Sequence, residues 1–297
     1  MQKPQFRDYF LLHLCIVFWG FTSVLGVLST LEASYIVFYR TGLSFVTLMF
    51  INYLRAGSNQ LPSKNRFSIV IAGILTAVHW TTFFASAKMS SVSTCLAGIS
   101  TTALWTSLLE PIFTKKKFQW MEMVLAIFVS FGLVLIYRSD FSLAPGLIVS
   151  LISAIACSCF TIINRTLVAH HSPLTLTTWE MFFAFIFSIL VIPILHFLGL
   201  MDSLLFEIPD GWEWLNILFL AWACTVFAYT MSIELMKKFT AFEINLTVNL
   251  EPVYGIALGI IVFGQKEKMG NLFYVGLAII LAGVFIFPLL EKIKKPR

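Results

Sequence analysis

Ten apolar stretches, each long enough to cross a lipid bilayer, occupy most of this 297-residue chain. A spanning helix needs roughly 20 mostly apolar residues, and continuous rather than alternating stretches favour helices over the strands of a barrel. Spans one to ten are residues 9–29, 33–54, 67–88, 93–113, 119–137, 145–165, 175–199, 212–235, 241–263 and 269–288. The connectors leave no room for a soluble domain. The sequence therefore predicts an all-α integral membrane protein with ten transmembrane helices.

The overall composition excludes an ordinary soluble protein. Hydrophobic residues make up 59% of the chain and charged residues 12%, with a mean hydropathy of +0.88. Soluble domains are about one quarter charged, so this chain cannot cover a water-facing surface. All five cysteines lie inside spans, where they act as small apolar fillers. We expect neither a disulfide framework nor a metal site.

The distribution of basic residues predicts the orientation in the membrane. With an inside N-terminus, fifteen Lys and Arg residues fall in the inside segments, and four fall in the outside loops: Lys88, Arg138, Lys266 and Lys268. This bias follows the positive-inside rule. It predicts a multi-pass protein of the cell (inner) membrane with both termini cytoplasmic. The formal charge of +5 is thereby explained without a nucleic-acid partner.

The two halves of the chain resemble each other. Residues 19–40 match 159–180 at a separation of 140, residues 88–91 match 237–240 at 149, and residues 131–134 match 282–285 at 151. The sequence thus predicts two five-helix units, 1–140 and 141–297. Because five is odd, the second unit enters the membrane from the opposite side. Such inverted repeats are typical of secondary transporters, whose substrate site lies near the midplane between the halves.

The deepest ionisable residue is Glu251, near the middle of span nine and directly before Pro252. Proline removes a backbone donor, so we expect a kinked helix beside this carboxyl group. Asn245 and Asn249 are four residues apart on one face of the same span. Two interpretations stay open: a glutamate that only packs within the bundle, or one that contacts a substrate or a proton.

Arg40 in span two and Glu180 in span seven are equivalent positions under the repeat. Both lie near the ends of their spans, at depths from which a long side chain can reach the interface. We therefore expect a gating or a structural role for each.

Several aromatic residues lie away from the interfaces where Trp and Tyr usually collect. His79 and Trp80 fall within span three, and Trp19, Trp105 and Trp222 are close to mid-span. A buried indole N–H needs a partner. These side chains either line a cavity for flat or amphipathic substrates or pack the helices together.

The chain resembles an EamA-type member of the drug/metabolite transporter superfamily along essentially its whole length. The matching features are residues 18–20, Arg40, residues 87–91, Gly132, Gly283, and Glu251-Pro252 followed by residues 263–267. The sequence departs from the family pattern at Gln265, where a glutamate is usual. Glu110-Pro111 resembles a second Glu-Pro, but alignment of the tails places Ser100-Thr101 opposite Glu251-Pro252. The resemblance implies ten helices around a central cavity, and outward movement of amino acids, other metabolites or drugs.

These observations together predict a secondary transporter, and an exporter, working by alternating access. Spans three, four, eight and nine are expected to line the cavity. The predicted substrate contacts are Glu251, Asn249, Asn245, His79, Trp80, Trp105, Trp222 and Trp19. The expected partners are a small-molecule substrate, protons or a counter-substrate, and the bilayer, with no cofactor; a homodimer is left open. The alternatives are a membrane sensor or assembly subunit without transport, and an intramembrane enzyme.

Overall fold

Helices account for all of the regular structure that this computed structural model describes, over residues 3–55, 60–115, 117, 119–139, 144–199, 201, 207–267 and 269–294. A helix or a pair of helices lies at each of the ten predicted positions. The helices are α1 (Phe6–Leu28), α2 (Ala33–Leu54), α3 (Arg66–Met89), α4 (Val92–Ile99), α5 (Thr102–Thr114), α6 (Trp120–Ser139), α7 (Ala144–Leu167), α8 (Pro173–Phe197), α9 (Gly211–Ala221), α10 (Ala228–Leu235), α11 (Ala241–Val248), α12 (Glu251–Phe263) and α13 (Asn271–Lys294). A π-helical turn, Trp222–Phe227, joins α9 to α10, and a 3₁₀ turn, Gly264–Glu267, follows α12.

Eight helical units within the described residues are long and apolar enough to cross a membrane. They are α1, α2, α3, α4 with α5, α7, α8, α9 with α10, and α11 with α12. The helices α6 and α13 occupy the remaining two predicted positions. Four of the basic residues behind the predicted orientation, Lys116, Lys268, Lys295 and Arg297, lie outside the described residues.

Spans four and nine are both broken, and at equivalent points. Each begins at a hydroxyl N-cap, Ser91 or Thr240, whose oxygen accepts a backbone N–H three residues on. Each then forms an eight-residue helix, a two-residue break and a thirteen-residue helix, at a constant separation of 149 residues. This register places Thr102 opposite Glu251, so the predicted pairing with Ser100 was wrong by two residues.

Pro252 does not kink a continuous helix, as the sequence suggested. It lies in the first turn of α12, directly after the break at residues 249–250. A proline is well placed there because the first N–H groups of a helix have no partner inside it and its φ angle is already helical. The break therefore precedes the proline, and Glu251 becomes the first residue of α12.

The halves pack closely against each other. Helix α3 lies against α7 and α8, α2 against α8, and α1 against α12. Two glycines allow the last contact: a Cβ on Gly20 would come 2.8 Å from Tyr254 Cβ, and one on Gly255 would come 3.2 Å from the Gly20 oxygen. Small residues are the usual means by which membrane helices approach closely. The space between the interlocked halves holds the candidate site.

Candidate functional site

A cavity lies among the helices of both halves, with about 630 Å³ of empty space when solvent at its opening is counted. It is lined by Trp19, Thr22, Arg40, His79, Trp80, Phe83, Ile99, Cys157, Phe160, Thr161, Tyr229, Ser232, Met236, Ile244, Asn245, Val248 and Glu251. The walls come from spans three, four, eight and nine, as predicted, and also from spans one, two and six.

Six of the predicted residues line this cavity: Trp19, Arg40, His79, Trp80, Asn245 and Glu251. Four others lie elsewhere. Trp222 is 51% exposed and donates to Thr47 Oγ1 at 3.1 Å, and Trp105 donates to Thr101 Oγ1 at 3.1 Å. Asn249 is fully buried at the break in span nine, and its amide has no hydrogen-bond partner within the described residues. Glu180 lies behind the cavity wall.

Arg40 is the cation of the cavity wall. It is only 2% exposed and does not reach an interface. Its Nε donates to Thr225 Oγ1 at 2.7 Å, and its guanidinium carbon lies 3.7 Å from the centre of the Trp80 ring. Stacking on an indole stabilises a desolvated guanidinium by about 2 kcal/mol. These contacts hold the planar group in place without neutralising its charge.

Glu251 brings the opposite charge to the same cavity. It is 5% exposed and opens α12, where the helix dipole favours an anion. Within the described residues, its carboxyl group makes no hydrogen bond and no ion pair. Arg40 and Glu251 thus face one space without forming a salt bridge to each other.

Glu180 is fully buried and belongs to a polar cluster behind the cavity. Its Oε2 lies 2.7 Å from Tyr229 Oη and accepts from Asn164 Nδ2 at 3.0 Å. Tyr229 Oη lies 3.1 Å from Thr76 Oγ1. Helix α3 can approach this closely because a Cβ on Gly73 would come 2.7 Å from the Glu180 carbonyl oxygen. Tyr229 lines the cavity and therefore separates Glu180 from it.

His79 is held in one tautomer by Ser153. The Ser153 carbonyl oxygen lies 3.0 Å from Nδ1, and a carbonyl only accepts, so Nδ1 carries the hydrogen. Ser153 Oγ also lies 2.7 Å from Nδ1 and donates its own proton to the His79 carbonyl oxygen at 2.8 Å. Nε2 is thereby left as an acceptor on a ring that lines the cavity.

Trp19 and Asn245 are fixed by contacts across the bundle. Trp19 Nε1 donates to the Cys224 carbonyl oxygen at 3.0 Å, within the π-helical turn. Asn245 Nδ2 donates to Thr106 Oγ1 at 2.7 Å, linking the two broken spans. The wall of the cavity is therefore ordered by contacts within the protein before any substrate binds.

Arg40 and Glu180 occupy matching settings. Arg40 stacks on Trp80 of its own half and bonds Thr225 of the other, while Glu180 contacts Tyr229 of its own half, which contacts Thr76 of the other. Trp80 and Tyr229 are 149 residues apart, and so are Thr76 and Thr225. This is the same separation that relates the broken spans.

Tyr229, Thr225 and Asn164 are site residues that the sequence analysis missed. The repeat already contained a sign of the first two, because carrying the separation of 149 through span eight places Tyr229 opposite Trp80. Asn164 and Ser153, on α7, have no such counterpart. Their importance is visible only from the contacts of Ser153 with His79 on α3, and of Asn164 with Glu180 on α8 and Tyr229 on α10.

Comparisons with known proteins agree with this architecture. No match was found among curated proteins. A solved crystal structure, described only as that of a protein, is similar over 99% of this chain and 100% of its own, at 14% identity and a TM-score of 0.70, which shows a shared fold. The model of the EamA-like transporter family matches twice, at residues 7–138 and 144–288. These two matches cover nearly the whole sequence, and the chain belongs to the EamA-like transporter family.

Proposed function

We propose that this protein crosses the membrane ten times, as two five-helix units of inverted orientation, and exports small organic solutes by alternating access. The helices at all ten predicted positions and the double family match support the ten crossings and the two units. The constant separation of 149 residues between the broken spans supports a duplicated framework. Equivalent halves of opposite orientation can present equivalent gates to the two sides.

The observation that carries this function is the pair of opposite charges left facing one cavity. Arg40 offers its guanidinium N–H groups to an anion, and Glu251 offers a carboxylate to a cation. Trp19, Phe83 and Phe160 add aromatic surface to the same cavity. A small zwitterion such as an amino acid fits this combination, and an amphipathic drug-like compound is the second candidate. Ionisable residues that face a cavity inside a membrane protein mark substrate pathways.

The two helix breaks supply the movement that alternating access requires. At each break, the helix ladder is interrupted within the bundle rather than at its surface, and α12 starts there with Glu251. A tilt of α12 about residues 249–250 would move Glu251 relative to Arg40 on α2. Substrate bound between these charges would bias that tilt, because it contacts both moving parts.

The orientation is a separate part of the proposal and has its own test. The fifteen inside basic residues against four outside support a cell (inner) membrane protein with both termini in the cytoplasm. Alkaline phosphatase fused after Arg297 should be inactive in cells, while the same enzyme inserted between Lys266 and Met269 should be active. The reverse pattern would overturn the orientation.

Transport itself is tested with the purified chain in proteoliposomes. Vesicles are loaded with each radiolabelled L-amino acid in turn, and efflux is timed. We expect efflux of at least one, and a loss of about 10- to 100-fold in apparent affinity for Glu251→Gln, because a charge-assisted contact disappears. Glu234→Gln is the matched control, since Glu234 pairs with Lys237 on the surface.

The same experiment separates the competing functions. Equal efflux from the Glu251→Gln and Glu234→Gln proteins would overturn the assigned cavity. No efflux of any amino acid or amphipathic cation from folded wild-type protein would overturn transport by this chain alone. That result would favour a sensor or an assembly subunit, which needs a partner to act.

A further inference from the structure

Glu180 is a buried acid whose surroundings do not suit a charge. It is 0% exposed, and within the described residues no lysine, arginine or histidine nitrogen lies within ion-pair distance of it. Its neighbours are the neutral groups of Asn164 and Tyr229, and its Oε1 has no partner. An unpaired carboxylate in such a place is strongly disfavoured, whereas a neutral carboxylic acid is tolerated.

The number of protons needed along the cluster also favours a protonated Glu180. Three oxygen contacts follow one another: Glu180 Oε2 to Tyr229 Oη at 2.7 Å, Tyr229 Oη to Thr76 Oγ1 at 3.1 Å, and Thr76 Oγ1 to the Ala72 carbonyl oxygen at 2.8 Å. Each contact requires one proton. With the acid ionised, the Tyr229 hydroxyl group donates to Glu180 and one of the other two contacts lacks a proton. With the acid protonated, Glu180 supplies the third proton and all three contacts are hydrogen bonds. With the acid protonated, every O–H in the row donates once and toward Ala72.

Tyr229 connects this acid to the cavity. Its ring lines the cavity and meets the Trp80 ring edge-on, with 5.7 Å between the centroids. Trp80 in turn stacks against the Arg40 guanidinium. Glu180 itself does not line the cavity. A proton that leaves Glu180 therefore passes through the Tyr229 hydroxyl group.

Several titratable groups line the cavity beside the Glu180 cluster. Among described cavity-lining residues, α2 contributes Arg40, α3 contributes His79, α7 contributes Cys157, α10 contributes Tyr229 and α12 contributes Glu251. The Nδ1–H of His79 is committed to Ser153. Among these groups, Tyr229 is the one in hydrogen-bond contact with Glu180.

We propose that Glu180 is a proton-binding site that couples transport to the proton gradient, with Tyr229 as its connection to the substrate cavity. This rests on the proposed transport function. In the release step, the Tyr229 O–H turns from Thr76 towards the cavity and gives its proton to water there, as the Oε2–H bond of Glu180 breaks and its proton moves to Tyr229 Oη. Tyr229 ends neutral, Glu180 becomes a carboxylate, and one proton has left. Uptake reverses the step.

Infrared difference spectroscopy tests the proton site without any substrate. Wild-type protein in liposomes is titrated from neutral to alkaline pH, and the C=O band of protonated carboxylic acids is followed. We expect Glu180→Gln to lose the intensity of one carboxyl group from this band, while Glu251→Gln keeps the Glu180 contribution. Tyr229→Phe, which retains the acid, should shift the band because its hydrogen-bond partner is gone. An unchanged band in both Glu180→Gln and Tyr229→Phe would overturn the site.

A flux measurement then tests the coupling. Proteoliposomes containing an exported L-amino acid are assayed with and without a pH gradient across the membrane. A gradient should accelerate wild-type efflux, whereas Glu180→Gln should show the same efflux with and without it. A Glu180→Gln protein that still responds to the gradient like wild type would overturn the coupling. Absence of efflux of any amino acid or amphipathic cation in wild type would overturn the proposed function instead, whereas the infrared result does not depend on transport.

Discussion

Spans four and nine share one framework and differ in their polar chemistry. Both break after eight residues and resume for thirteen. At the break in span four, the hydroxyl groups of Ser100, Thr101 and Thr102 each donate to a carbonyl oxygen of the same span, at 2.9, 2.7 and 2.6 Å. At the break in span nine, Asn249 and Glu251 find no such partner in the described part of the chain. The polar side chains at the break in span four are all hydrogen-bonded within the span, whereas those at the break in span nine remain available to a ligand.

Arg40 and Glu180 show the same contrast: their surroundings are equivalent, but their chemistry differs. Their partners are related by the same separation of 149 residues. In the first half, however, the cation Arg40 stacks on the Trp80 indole, and in the second half the acid Glu180 contacts the Tyr229 hydroxyl group. The duplication therefore conserved where polar groups sit, and the two halves differ in which charge each holds. Substitutions that remove one member, or exchange members between the halves, test this contrast directly.

The largest effect is expected for Arg40→Gln. It removes the cation of the cavity while Glu251 remains, so an anionic group of the substrate loses its charge-assisted hydrogen bonds. The apparent affinity in the proteoliposome efflux assay should fall by about 10- to 100-fold. Arg40→Lys should recover only part of it, because an ammonium group neither stacks on Trp80 nor reaches Thr225 with the same planar geometry.

Arg55→Gln serves as the control for that substitution. Arg55 follows α2 at its exposed C-terminal end, and its loss should leave the affinity unaltered. If Arg40→Gln retained wild-type affinity while Glu251→Gln lost it, the cavity would recognise a cation alone, and the contrast between the halves would have no role in substrate selection.

A smaller effect is expected when the two breaks exchange residues. Asn249→Ser gives span nine the residue of span four, whose hydroxyl group can donate to the carbonyl oxygen four residues back, as Ser100 does to Leu96. Removal of an unpartnered buried amide should raise the free energy of unfolding by about 1–3 kcal/mol, and Ser100→Asn should lower it by a similar amount. Thermal unfolding in detergent, followed by tryptophan fluorescence, measures both.

The same pair reports on function. If Asn249→Ser stabilises the protein and leaves efflux intact, the amide is a packing residue. If it stabilises the protein and lowers affinity, Asn249 contacts substrate in another conformation, as the sequence analysis expected. Destabilisation by Asn249→Ser would show that the amide is already satisfied, and would remove the contrast between the breaks.

The sequence was sufficient to locate the helices because bilayer thickness dictates the length of each apolar run. It was insufficient to orient them. A helix between lipid and an apolar core is hydrophobic on all sides, so periodicity does not reveal which face meets the cavity. Trp19 and Trp222 looked alike in the sequence, yet Trp19 lines the cavity and Trp222 is half exposed. The sequence showed separations of 140, 149 and 151, and only the helix ends showed that 149 applies to spans four and nine.

Trp80→Leu is expected to have a moderate effect. It removes the ring that stacks on Arg40 and the edge contact with Tyr229. The substitution therefore changes the surroundings of both Arg40 and the Glu180 cluster. The lost cation–π interaction amounts to about 1–2 kcal/mol, which corresponds to about 5- to 30-fold in apparent affinity. Trp80→Phe should lie between Leu and wild type. Equal effects of Leu and Phe would show that ring stacking does not hold Arg40.

The smallest effect is expected for Trp222→Phe, and it tests whether depth in the bilayer alone assigns a tryptophan to the substrate path. Trp222 is close to mid-span like Trp19, but its indole is half exposed and donates to Thr47 on the outside of the bundle. The substitution removes one exposed hydrogen bond, so stability should change by about 0.5–1 kcal/mol and efflux should remain at the wild-type rate. Trp19→Phe, in contrast, breaks the bond to the Cys224 carbonyl oxygen inside the cavity wall and should slow efflux. Slower efflux from Trp222→Phe than from Trp19→Phe would mean that the substrate path runs along the outer face of span eight, and the cavity between the halves would lose its assignment.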